Sequence, residues 1–163
     1  GVVEIGRVEI RDAHGRPARV VASSDLLEVQ IPYTAYTPVS KANVLVRMMR
    51  SDGLSCFVLR TSQDGVPVSF DRGAGTVAVT IDATRLFPGS YYAVVWFLDA
   101  NDANGTSRAT SDWFEVTSPT SGLDHHDGVF EPDHRWSVAP SRQAAGTSPA
   151  ATSLPHPAGA SRD

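Results

Sequence analysis

The chain has 163 residues, 41% hydrophobic and 20% charged, which suits one folded domain with chain to spare and argues against wholesale disorder. Its net charge is −4 and Lys41 is the single lysine among 14 basic residues, so no basic stripe exists to neutralise a phosphate backbone and nucleic acid is not expected as a partner. The longest apolar run, Ala93 to Leu98, falls far short of the ~20 residues of a spanning helix, no signal-peptide pattern opens the chain, and a lone Cys56 excludes an intrachain disulfide and fits a reducing, cytoplasmic compartment.

In chain order, alternation with a period near two predicts strands at Val2 to Arg11, Arg19 to Val21, Leu26 to Thr37, Asn43 to Arg50, Leu54 to Thr61, Gly75 to Ala83, Ser90 to Leu98 and Ser107 to Val116. Between them, Asp12 to Gly15, Ser51 to Gly53 and Asp99 to Gly105 carry the Asp, Asn and Gly residues that hairpin turns use. Leu86-Phe87-Pro88-Gly89-Ser90-Tyr91 has the spacing of a tyrosine corner, in which a tyrosine just inside a strand bonds back to the preceding connection. Many short half-buried strands with such a corner predict an all-β, immunoglobulin-like antiparallel β-sandwich over residues 1–117. Ser118 to Asp127 is polar, Gly128 to Val138 has the pattern of one more strand, and Ala139 to Asp163 is so rich in Ala, Pro, Ser, Gly and Thr that a disordered tail is expected. The chain begins inside a strand and without Met, which predicts an upstream domain.

Alternation also assigns faces. Leu27, Val29, Ile31, Tyr33 and Ala35 point one way, joined in the core by Val44, Val46, Met48, Val77, Val79, Ile81, Phe114 and Val116. If Tyr91, Ala93, Val95 and Phe97 face inward, then Tyr92, Val94, Trp96 and Leu98 face outward, beside Leu45, Arg47 and Met49 on one neighbour and Trp113 and Glu115 on the other. Sugars present C–H faces that stack on rings and hydroxyls that need polar partners. The candidate carbohydrate site is therefore Trp96 and Trp113 for stacking, Tyr92 for stacking or hydrogen bonding, and Arg47, Asp112 and Glu115 as hydroxyl partners. So apolar a row suits a subunit interface equally well.

With the strands placed, Ile5-Gly6-Arg7-Val8-Glu9-Ile10, Val29 to Ala35, Arg50-Ser51-Asp52-Gly53, Leu86 to Tyr92 and Phe114-Glu115-Val116, followed by Gly128-Val129-Phe130 and His134-Arg135-Trp136, resemble in order the C-terminal carbohydrate-binding domain of the ATP-binding subunit (Wzt type) of O-antigen and related polysaccharide ABC exporters. The resemblance covers about residues 2–138. It implies a non-catalytic module that binds the exported polysaccharide, follows an ATPase domain contacting the transporter's membrane subunit at the bacterial inner membrane, and forms homodimers in which a terminal strand is exchanged. Here that strand would lie in the segment 118–138, with Val129, Phe130 and Trp136 at the dimer contact. Two alternatives stay open: a dimerisation or scaffolding domain of the same transporter, and a carbohydrate-binding module of a glycoside hydrolase. An upstream Walker A domain or an upstream catalytic barrel would separate them.

Other chemistry is weaker. The single lysine follows Ser40 and precedes Ala42, outside any Walker A loop. Asp124-His125-His126-Asp127 with Asp133 and His134 has metal-ligand residue types without the spacing of a structural zinc site, so neither metal nor cofactor is expected. Asp99 to Gly105 departs from a calcium loop at Ala103 and Thr110 and is expected to be a turn. Cys56 on an alternating strand is expected as a small buried hydrophobe, and no Gly-x-Ser-x-Gly elbow is present; no enzyme is expected.

Overall fold

The computed structural model describes residues 2–81 and 85–118. Within them, eleven strands and no helix build two facing sheets. In the smaller sheet, β4 (Leu27–Ala35) is central; β8 (Gly73–Ile81) pairs along its whole length, and β1 (Val3–Ile5) and β2 (Glu9–Arg11) share its other side. The expected single strand from Val2 to Arg11 is thus broken. Between Ile5↔Tyr33 and Glu9↔Gln30 the outer strand carries one extra residue, a bulge, and the Gly6 N–H donates to the Pro32 carbonyl at 2.7 Å inside it.

The larger sheet runs β3 (Val20–Ala22), β11 (Phe114–Thr117), β9 (Gly89–Leu98), β5 (Val39–Arg50), β6 (Ser55–Arg60), with β10 (Gly105–Thr110) also on β9 and β7 (Val68–Phe70) also on β5. Three features differ from expectation. The pair β3 and β11 is parallel, because the chain arrives at β3 from the other sheet and not through a hairpin. The segment from Ser107 to Val116 is two strands, β10 and β11, lying one after the other on the same side of β9. The short β7 holds the start of β5, through Val39↔Phe70 and Ala42↔Val68, and its three residues are too few to show a period.

The inward residues of both sheets form one core. Leu27, Val29 and Ile31 of β4 face Val44, Val46 and Met48 of β5 and Tyr91, Ala93, Val95 and Phe97 of β9, all buried. At one end Phe70 lies 4.7 Å from the Tyr33 ring and 4.7 Å from the Phe97 ring, so an aromatic trio pins the sheets together; each such pair adds about 0.5–1.5 kcal/mol beyond area burial. At the other end the tyrosine corner is present: the Tyr91 hydroxyl donates to the Phe87 carbonyl at 2.8 Å, and Gly89 takes φ +155°, which a side chain rarely tolerates. Turn chemistry follows the expected residues. Asp52 Oδ1 accepts from the Leu54 N–H at 3.1 Å and Gly53 sits at φ +86°, while Asp99 Oδ1 accepts from the Asn101 and Ala103 N–H groups, closing the β9–β10 hairpin.

Candidate functional site

Because β9 buries Tyr91, Ala93, Val95 and Phe97 completely, its alternate residues Tyr92, Val94, Trp96 and Leu98 must point away from the core. Pairing then decides their neighbours. On β5, Met49, Arg47 and Leu45 stand opposite Tyr92, Val94 and Trp96; on β10, Arg108 stands opposite Trp96 and Thr110 opposite Val94; on β11, Glu115 stands opposite Ser90. The sheet therefore gathers Arg47, Tyr92, Trp96 and Glu115 on one outer face. Its apolar members are not bare: Leu45, Val94 and Leu98 are buried although they lie outside the core cluster.

Trp96 is half-buried, with the Arg47 and Arg108 guanidinium carbons 5.2 and 5.3 Å from its ring centroid, cation–π distances. Trp113 offers far more open ring, at 52% exposure. It packs against Tyr92 with centroids 4.4 Å apart and planes tilted by 60°, so an aromatic line runs along the outer face from Trp96 past Val94 to Tyr92 and Trp113.

The break between β10 and β11 is what presents Trp113. Ser111 is buried there: its hydroxyl accepts from the Ala93 N–H at 2.9 Å and donates to the Asp112 carbonyl at 2.8 Å. A side chain thus satisfies a backbone group while the next two residues leave the ladder. Ser111 also forms an isolated bridge to Val8, in the break between β1 and β2. The result is a groove of about 340 Å³ where the sheets meet, lined by Arg7, Glu9, Pro17, Arg19, Asp112 and Trp113 among others. Asp112 accepts from Arg7 at 2.6 Å, and that hydrogen bond, then the arginine's charge, holds its carboxyl below the usual carboxylate range. Glu115 accepts from the Ser90 hydroxyl. An open indole flanked by ionised, hydrogen-bonding side chains can stack on one face of a pyranose ring and bind its hydroxyls.

Of the six expected carbohydrate-binding residues, Tyr92, Trp113 and Asp112 lie together at the groove, Glu115 lies beside them on β11, and Arg47 and Trp96 form a second cluster further along β9. Sequence reasoning missed Arg108 and the groove's other wall. Arg108 was hidden by the break at Ser111: on one strand with Phe114 and Val116 inward it would face the core, whereas on β10 Ala109 packs against the core and Arg108 faces out. Arg7, Glu9 and Arg19 were hidden because only the contact between the sheets brings them to Trp113. Val129, Phe130 and Trp136, expected at a dimer contact, and the Asp124 to Asp127 cluster with Asp133 and His134 lie outside the described residues. Among the described residues no group of three or more His, Cys, Asp or Glu is arranged to hold a metal ion, and no helix is long and apolar enough to cross a membrane.

A family model described as the Wzt C-terminal domain matches residues 1–119. The O-antigen export system ATP-binding protein RfbB of Myxococcus xanthus is 30% identical over 140 residues, covering 86% of this chain but 30% of that protein, so the chain spans less than a third of this relative's length. A crystal structure of the C-terminal domain of wzt superposes with a TM-score of 0.66 at 15% identity, covering 85% of each chain. A Niemann-Pick type C2 protein from the Japanese carpenter ant shares the sandwich architecture more loosely, with a TM-score of 0.51 at 12% identity over 72% of this chain and 94% of that one.

Proposed function

This chain belongs to the Wzt C-terminal domain family, and we propose on that premise that it is the non-catalytic glycan-recognition module of the ATP-binding subunit of an O-antigen exporter. It docks the polysaccharide for export while nucleotide hydrolysis takes place in another domain of the subunit. The observation that carries the proposal is the half-exposed Trp113, braced by Tyr92 at 4.4 Å and set beside the groove that holds Arg7 and Asp112. In this reading a sugar ring lies on Trp113, its hydroxyls bind Asp112, Glu115 and the Arg7 guanidinium, and the chain continues along β9 towards Arg47 and Trp96. The similarity to an O-antigen export ATP-binding protein supports the setting.

We assign recognition to residues 1–117, a linker and exchanged strand with Val129, Phe130 and Trp136 to 118–138, and a tail to 139–163. The working unit is then a homodimer, peripheral to the cytoplasmic face of the inner membrane through the transporter's membrane subunit. A second reading, a scaffolding domain whose outer face only joins subunits, is favoured by the exposed Trp113 packed on Tyr92 at that face, since aromatic side chains are enriched at interfaces.

Calorimetric titration of the host's purified O-polysaccharide into the chain separates the two. Trp113→Ala and Trp96→Ala each weaken binding at least about fivefold if the face is a docking platform. Unchanged affinity with unchanged sedimentation overturns the platform, and loss of dimers in the ultracentrifuge supports the interface.

A further inference from the structure

The charges around Trp96 are unbalanced. Arg7, Arg11, Arg16 and Arg50 each contact a carboxylate at 2.6–2.9 Å. Arg60, opposite Leu45 on the neighbouring strand, lies 3.8 Å from Asp102. Arg47 and Arg108 form no ion pair among the described residues, yet both are held within 5.3 Å of one point, the Trp96 ring centroid. Two guanidiniums sharing one ring concentrate positive charge on this part of the face, although the chain has 18 acidic against 14 basic residues. The Arg47 Nε is buried and has no hydrogen-bond partner among the described residues, so the part of this guanidinium open to a ligand is its terminal NH₂ groups.

Guanidinium groups are suited to carboxylate and phosphate, whose paired oxygens accept two parallel N–H bonds, whereas a neutral sugar hydroxyl uses little of that fork. Tyr92 lies four residues, about 13 Å, along the same strand from Trp96, so one oligosaccharide can reach both clusters. Two arginines beside Trp96 are too few for a nucleic-acid backbone, whose binding draws on many phosphate contacts.

We propose that the glycan docking on this face is acidic, and that a carboxylate or phosphate it carries is bound by Arg47 and Arg108 beside Trp96. The inference rests on the glycan-recognition reading and adds its ligand class. The anion neutralises both guanidiniums at once, while the cation–π contacts keep them in place when the site is empty.

The test is an array of purified bacterial O-polysaccharides of known repeat structure, acidic and neutral in matched numbers, probed with the full 163-residue chain, Arg108→Gln and Arg47→Gln. Arg108 is exposed, so its variant folds normally and keeps the result interpretable if Arg47→Gln does not. The expected result is binding confined to acidic glycans and weakened about tenfold or more by either substitution. It is abolished by carboxyl reduction if the anion is a uronate, or by dephosphorylation if it is a phosphate. Binding to neutral glycans that is indifferent to both arginines overturns the acidic ligand and leaves glycan recognition standing; no binding to any polysaccharide overturns both.

Discussion

Replacing Tyr91 with Phe tests the corner that anchors the start of β9, the strand on which both aromatic clusters depend. The ring is completely buried and Phe keeps it, including its contact with Phe114 at 6.2 Å between centroids. What disappears is one hydrogen bond, from the hydroxyl to the Phe87 carbonyl at 2.8 Å. A net intramolecular hydrogen bond contributes roughly 0.5–1.5 kcal/mol, which for a domain of this size lowers the melting midpoint by roughly 2–6 °C. The pH dependence separates this cause from generic damage. Burial first, then the neighbouring Cys56, pushes the Tyr91 phenol up to about 12. A folded pKa above the unfolded one means that the stabilisation is fully present below the unfolded value near 10 and is lost as pH rises through about 12. Scanning calorimetry or urea titration between pH 8 and 12 should therefore show a gap between wild type and Tyr91→Phe that narrows over that window. Equal stability at pH 8, or a gap independent of pH, refutes the reasoning.

Ser111→Ala removes the hydroxyl that satisfies the Ala93 N–H at a buried position; urea unfolding should show a loss of about 1–3 kcal/mol and a weaker near-ultraviolet signal from the Tyr92–Trp113 pair. Phe70→Ala empties the centre of the aromatic trio and should cost about 3–5 kcal/mol in the same assay, whereas loss below about 1 kcal/mol would mean the sheets are held elsewhere. The Cys56 thiol is pushed above its ordinary value chiefly by burial, so less of it is thiolate at neutral pH and iodoacetamide should label it more slowly than the same thiol in urea, read by mass spectrometry. Equal rates would place Cys56 in an open site.

Much of the outer face was legible before any coordinates. Once Tyr91 and Phe97 are taken as inward, alternation alone turns Tyr92 and Trp96 outward, and the neighbouring strands supply Arg47 and Glu115. On one continuous strand with Phe114 and Val116 inward, the same rule turned Arg108 inward, and only the break at Ser111, after which the parity changes, puts Ala109 in and Arg108 out. Where a strand breaks, alternation stops carrying information. The Gly6 bulge and the Ser111 step were invisible because their cause is a backbone partner far along the chain, Pro32 in one case and Ala93 with Val8 in the other.

By itself, the sequence determined the all-β class, the inward and outward faces of β4, β5 and β9, the hairpin turns and the tyrosine corner. All of these follow from interactions within about ten residues, namely the two-residue period of a strand and the backbone preferences of Asp, Asn and Gly. Tertiary structure alone decided the parallel pairing of β3 with β11, the groove beside Trp113 and the placing of both Arg47 and Arg108 over the Trp96 ring. Those depend on which strands lie side by side and how the two sheets meet, and such contacts are set by burying both inner faces at once, a condition that no local stretch of sequence records.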